Sequence, residues 1–184
     1  MPPASTKSAP AALVVLFAVY LMLLTWVIVW KLEIPWIGEA AFLPHPIKLV
    51  PYAPSGDADA SNPLEVVANV IFFIPFGLFL GVLAPRWQWW KHAGVFVAAS
   101  LLFEITQHVL SVGSFDITDV ISNSAGGMLG LGLARLARRR LGEKFVPVMY
   151  RVLLGVTLVS AVLVAIVVVS PLHYAHTPDV VIER

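Results

Sequence analysis

Cysteine is absent from the 184 residues, which excludes disulfides, a thiol nucleophile and Cys-ligated zinc. Charge is scarce as well. Asp, Glu, Lys and Arg together make up 12% of the chain, too little to clothe a water-soluble protein of this length. Apolar residues fill their place: 59% of the chain is hydrophobic, and the mean hydropathy is +0.86. A net charge of +1 gives no sign of a nucleic-acid partner, and none is expected. The composition is that of an integral membrane protein with an all-α, polytopic helical bundle. The placement of its few charges then carries the information.

The apolar runs fit five spans, at about 11–31, 64–84, 91–112, 117–136 and 148–170, each close to the ~20 residues a bilayer core requires. The first, "AALVVLFAVYLMLLTWVIVW", follows a short tail over 1–10. It is read as a retained span, because it is longer than the ~7–15 apolar residues of a signal-peptide core and no small-residue cleavage site follows. Nine basic residues (Lys7, Arg86, Lys91, Arg135, Arg138, Arg139, Arg140, Lys144 and Arg151) fall on one side of this arrangement, and three (Lys31, Lys48 and Arg184) on the other. That asymmetry predicts a cytoplasmic N-terminus and an external C-terminus. Residues 139–184 then divide into a basic cytoplasmic loop that touches lipid headgroups, the fifth span and an external tail. Segment 32–62, with Pro35, Pro44, Pro46, Pro51 and Pro54, predicts an irregular external cap, with Trp36 and Phe42 at the membrane interface.

Local signals mark helix ends and contacts. "SNPLE" offers Asn62 as N-cap, Pro63 at the first helical position and Glu65 three residues after the cap. Gly77 and Gly81 in the second span and Gly126 and Gly130 in the fourth each form G-x-x-x-G, which lets helix backbones approach closely. These two spans are expected to touch, with Pro75 bending the second.

Polar residues interrupt this pattern in "FEITQHVLSVGSFDITDVISNSAGG". Glu104, Gln107, His108 and Ser111 are spaced i, i+3, i+4 and i+7, a single helical stripe. Asp116, Asp119 and Asn123 form another, and Glu65 and Asn69 a third. An ionised carboxylate at mid-span costs ~3 kcal/mol on insertion scales, so the stripes must face one another or water. Counted from the outer helix ends at 1.5 Å per residue, Glu104, Asn123 and Asn69 all lie at roughly 9–12 Å depth. The expected object is an outward-facing polar pocket, with Glu104 hydrogen-bonded to Asn69 or Asn123. Structural roles compete for each member: Glu65 and Asp116 as helix caps, Asp119 as a cap partner, His108 as a hydrogen-bonded wall, and Asn69 and Asn123 as interhelical links. No Lys or Arg lies within the spans at this level, which disfavours a phosphate ligand.

"NVIFFIPFG" (69–77), "EITQ" (104–107) and "DITDVISNSAGGMLG" (116–130) together resemble the VanZ-like family of membrane proteins, over about residues 10–138. The family pattern is met at Asn69, Phe73, Pro75, Gly77, Glu104, Gln107, Asp116, Asp119, Asn123 and Gly126 or Gly127. Many members carry an arginine shortly before the first aspartate; here "SVGSFD" has Gly113 or Ser114 there. The family is named for low-level resistance to glycopeptides such as teicoplanin. The resemblance implies a multi-pass protein of the bacterial inner membrane with a cell-envelope role, and does not supply a reaction.

Three functions fit these residues. One is binding or movement of an amphipathic envelope lipid, such as a cell-wall precursor lipid, or of a lipoglycopeptide. Another is a scaffold whose polar network fixes helix packing. The third is a membrane hydrolase using Glu104, Asp119 and His108, although no nucleophile set of recognised spacing is present. Membrane lipids are expected partners. No cofactor and no metal are expected, and the sequence does not set the oligomeric state.

Overall fold

The computed structural model describes residues 8–30, 47–53 and 61–169. They form α1 (Ser8–Trp30), β1 (Ile47–Lys48), α2 (Pro63–Leu83), α3 (Trp89–Val109), β2 (Phe115–Asp116), α4 (Ile117–Leu141) and α5 (Phe145–Val169), with a short 3₁₀ turn over Gly142–Lys144. The chain is all-helical as expected, apart from the two-residue parallel pairing of β1 with β2. Three stretches, Ala11–Trp30, Pro63–Leu83 and Ile117–Val169, are long and apolar enough to cross a membrane. α3 has the length for a span, but its polar stripe dilutes its hydropathy. Lys31, Trp36 and Phe42, with most of the proline-rich segment, and the C-terminal tail with Arg184 lie outside the described residues.

The helix ends follow the chemistry written locally. Asn62 caps α2, its side chain accepting the Leu64 N–H at 2.9 Å, with Pro63 at the first position. Asp116 caps α4 by accepting the Thr118 N–H at 2.8 Å. α4 extends to Leu141 rather than stopping near 136, so Arg138, Arg139 and Arg140 occupy its last turn instead of a loop. Cations there complement the negative end of the helix dipole, and Gly142, at φ +53°, ends the helix. α3 ends in a Schellman-type turn in which the Val112 N–H reaches the Gln107 carbonyl at 3.0 Å. Ser111 occupies the left-handed position of that turn, at φ +55°, where glycine is the usual occupant.

The α2–α4 contact is backbone against backbone. A Cβ on Gly126 would lie 2.2 Å from the Val70 carbonyl oxygen, one on Gly130 2.0 Å from that of Ile74, and one on Gly77 2.0 Å from that of Gly127. A Cβ on Gly81 would meet the Ala134 side chain at 2.5 Å. Both G-x-x-x-G pairs are therefore the crossing itself. In hydrocarbon such proximity is a main source of helix association, because lipid tails are as apolar as the side chains they replace. α2 runs through Pro75 as one helix.

Around this crossing the core is aromatic. Phe17 and Tyr20 of α1 pack on Phe79 at 5.1 and 5.5 Å, and Phe73 and Phe76 of α2 meet Phe103 and Phe96 of α3 edge-on at 6.1 and 5.3 Å. Alternate helices run in the same direction. The C-terminal part of α3 meets that of α1, as Gln107 Nε2 donates to the Ile28 carbonyl at 2.9 Å. At the opposite end Arg138 Nη2 donates to the Gly81 carbonyl at 3.0 Å and its guanidinium lies 4.2 Å from the Phe145 ring centre. The up–down order places the 84–88 and 142–144 turns, with Arg86, Lys91, Lys144 and the α4 arginines, at one basic end. Lys48 lies at the other, with Asp116.

Candidate functional site

At the Asp116 end, segment 47–53 is clasped onto the start of α4. Ile47 pairs with Phe115 and Lys48 with Asp116 in parallel register. Lys48 Nζ lies 3.0 Å from Asp116 Oδ2, and both side chains are buried. Ser61 Oγ donates to the same Asp116 oxygen at 2.8 Å. Thr118 Oγ1 accepts the Tyr52 N–H at 3.0 Å. Burial opposes the charged form of Asp116, yet hydrogen bonds from Thr118, Lys48 and Ser61 hold its carboxyl below the usual carboxylate range. Asp116 is thus a cap and an anchor at once.

Behind the clasp, Glu104 is fully buried on α3, and its Oε2 accepts the backbone N–H of Asp116 at 2.8 Å. This differs from the expected bond to Asn69 or Asn123. The loop ahead of α4 folds back over α3 and delivers a main-chain donor to the carboxyl first. Asn123, also fully buried, donates to Ser100 Oγ at 2.8 Å instead. Ser100 lies one turn before Glu104 and extends the same stripe, so an i−4 search from Glu104 finds it.

The open polar space lies beside these groups. A cavity of about 320 Å³ at the junction of α1, α2, α3 and α4 is lined by the polar Glu65, Asn69, Gln107 and Asp119 and by the apolar Val27, Ile28, Leu64, Ala68 and Phe72. Four of the eight polar candidates therefore share one cavity. Glu104, His108, Asp116 and Asn123 do not line it: Glu104, Asp116 and Asn123 are buried between elements, and His108 is half-buried near the end of α3. Gln107 lines the cavity while its amide donates to the α1 backbone. Among the described residues no three His, Asp or Glu side chains gather closely enough to hold a metal ion.

Two features were not foreseen. Lys48, counted only as an external charge, is brought to the site by a pairing across 68 residues of sequence, for which no local pattern exists. A cation thus stands at Asp116 although "SVGSFD" contains none. Val27 and Ile28 of α1 also line the cavity, although the α1 run is hydrophobic all round and carries no polar marker.

Comparison with known proteins places these observations in a lineage. The family model described as VanZ/LLP1 matches residues 17–138, which contain the α2–α4 glycine crossing, the buried Glu104 and the clasped Asp116. Protein VanZ of Enterococcus faecium is 36% identical over 129 residues, covering 70% of this chain and 77% of that protein. No solved structure matches. The match spans every helix that lines the polar cavity, and the chain belongs to the VanZ/LLP1 family.

Proposed function

We propose that the protein is a five-span protein of the bacterial inner membrane that binds or moves an amphipathic cell-envelope lipid or a lipoglycopeptide. In this arrangement the N-terminus and the basic end face the cytoplasm, as the segregation of positive charge favours. The cavity at the Asp116 end then opens toward the outer leaflet. The observation that carries the proposal is the mixed polar and apolar lining of that cavity. Amide and carboxyl groups from α2, α3 and α4 line it together with apolar side chains of α1 and α2, the mixed lining of a ligand site with a few orienting polar groups. Lys48 is engaged by Asp116, so the polar lining offers amides and carboxyls, a set suited to a hydroxylated or cationic head. The family is named for glycopeptide resistance, and a lipoglycopeptide combines such a head with a tail.

Asn69→Leu and Asp119→Asn test this in cells scored for teicoplanin sensitivity, with thermal unfolding of the purified proteins as the fold control. Both variants are expected to fold and to lose the phenotype. Folded variants with the full phenotype would remove the cavity from the function.

A scaffold role has its own support. Glu104 and Gln107 each bond to the backbone of another segment, which fixes helix register. Retention of function by the cavity variants would favour that role.

A further inference from the structure

Beside the polar cavity lies a second void of about 150 Å³ between α1, α2 and α5, with Val27 and Phe72 as shared walls. Apart from Ser160 its lining is apolar, from Leu23, Leu24, Leu163 and Val164 among others. Tyr20 also faces it, but the Tyr20 hydroxyl is taken by the Phe72 carbonyl, so a ring is what it presents. Along α1 the lining runs from Tyr20 to Val27 and along α5 from Ser160 to Val167. Seven residues of rise on each helix make a slot about 10 Å long, most of the ~15 Å hydrocarbon depth of one leaflet. Leu163 is 54% exposed, so the α5 wall of the slot reaches the outer surface of the bundle.

We infer that this slot holds one hydrocarbon chain of the amphipathic molecule whose head occupies the polar cavity, an inference that rests on the function proposed above. Water does not fill such a space, since a buried water needs two to four polar partners. Bilayer hydrocarbon does, because chain and wall are equally apolar and entry exchanges like for like. The volume is below the ~300–1,000 Å³ of a drug-sized site, so it takes a slender chain and not a ring system. Adjacency sets the direction. A chain in the slot has its head end at the Val27–Phe72 boundary, one turn from Asn69. For the same reason the slot contributes orientation and chain selection more than affinity, and affinity comes from the head.

The test uses the full-length protein in nanodiscs of phosphatidylethanolamine and phosphatidylglycerol, irradiated with dodecyl glucoside bearing a diazirine at its chain end. Labelled residues are mapped by mass spectrometry. Labelling is expected to concentrate on the slot-facing residues of 20–27 and 160–167, about tenfold above Val159 and Val162 elsewhere on α5, a ratio worth about 1.4 kcal/mol. Val164→Trp, which fills the slot, should remove that excess. Leu23→Trp fills it from α1 and serves if Val164→Trp does not fold. Labelling spread evenly around α5, or unchanged by a folded slot-filling variant, overturns the inference. Asn69→Leu separates the two levels. Loss of slot labelling in that variant supports a single head-and-chain ligand, whereas labelling that responds to the fillers and ignores Asn69→Leu keeps the chain site and removes the cavity as its head site.

Discussion

Gly126→Ala is the sharpest probe of the α2–α4 crossing. The added methyl would sit 2.2 Å from the Val70 carbonyl oxygen, and ordinary contact begins near 3.4 Å, so the α2 backbone must retreat by 1.2 Å. It cannot yield at that point alone, because Gly130 against Ile74 and Gly77 against Gly127 are equally tight. The helices must separate along the crossing or tilt. Overpacking of this kind costs about 1–3 kcal/mol. Gly132→Ala is the control on the same helix, where an added Cβ meets nothing within 4 Å. Both changes gain the same ~1 kcal/mol of helix propensity, which cancels in the comparison. The two variants should therefore differ by about 1–3 kcal/mol, or roughly 2–12 °C in Tm for a chain of this size. Thermal unfolding in detergent, followed by tryptophan fluorescence, measures the difference. The leucine pair should show it as folded yield, Gly126→Leu falling well below Gly132→Leu. Equal midpoints and equal yields would refute the claim that glycine contact holds α2 to α4.

Glu104→Gln keeps an oxygen that can accept the Asp116 N–H and should unfold close to the parent, whereas Glu104→Ala strands that donor and should cost about 1–3 kcal/mol; equal losses in thermal unfolding would show that the carboxylate charge itself is required. Lys48→Met leaves a buried carboxylate without its cation, a change that typically costs about 3–5 kcal/mol, reduced here because Ser61 and Thr118 still donate to Asp116; an unchanged Tm would mean that the ion pair contributes nothing. Because folding lowers the Asp116 pKa, its contribution to stability is present above the unfolded value of about 3.9 and is lost as pH falls through the folded value. Asp116→Asn should therefore flatten the acid limb of a Tm-versus-pH curve, and an identical limb would count against the assignment. For topology, a reporter fused after Arg140 should be active only in the cytoplasm and one after Arg184 only outside; the reverse pattern would invert the proposed orientation of the cavity.

Much of the fold is legible in local spacing. The Asn62 and Asp116 caps, the glycine pairs, the basic clusters and the length of each apolar run are properties of a few consecutive residues, and helix geometry converts them directly into ends, faces and contacts. That is why the α2–α4 crossing agrees with a pattern read off Gly77, Gly81, Gly126 and Gly130. The polar stripes also showed that Glu104, Gln107 and Asp119 cannot face lipid. They did not show which group each one meets, because that depends on how far every helix is rotated and translated against the others. Tertiary packing decided it. The turn before α4 gives the Asp116 N–H to Glu104, Ser100 takes Asn123, Gln107 reaches the Ile28 carbonyl, and Asn69, Gln107 and Asp119 come to line one cavity. Lys48 reaches Asp116 through main-chain pairing between distant segments, and main-chain hydrogen bonds carry no side-chain signature. The periodicity of α1 likewise could not show which flank faces the cavity, since a helix apolar all round presents no preferred side until neighbours with polar faces pack against it.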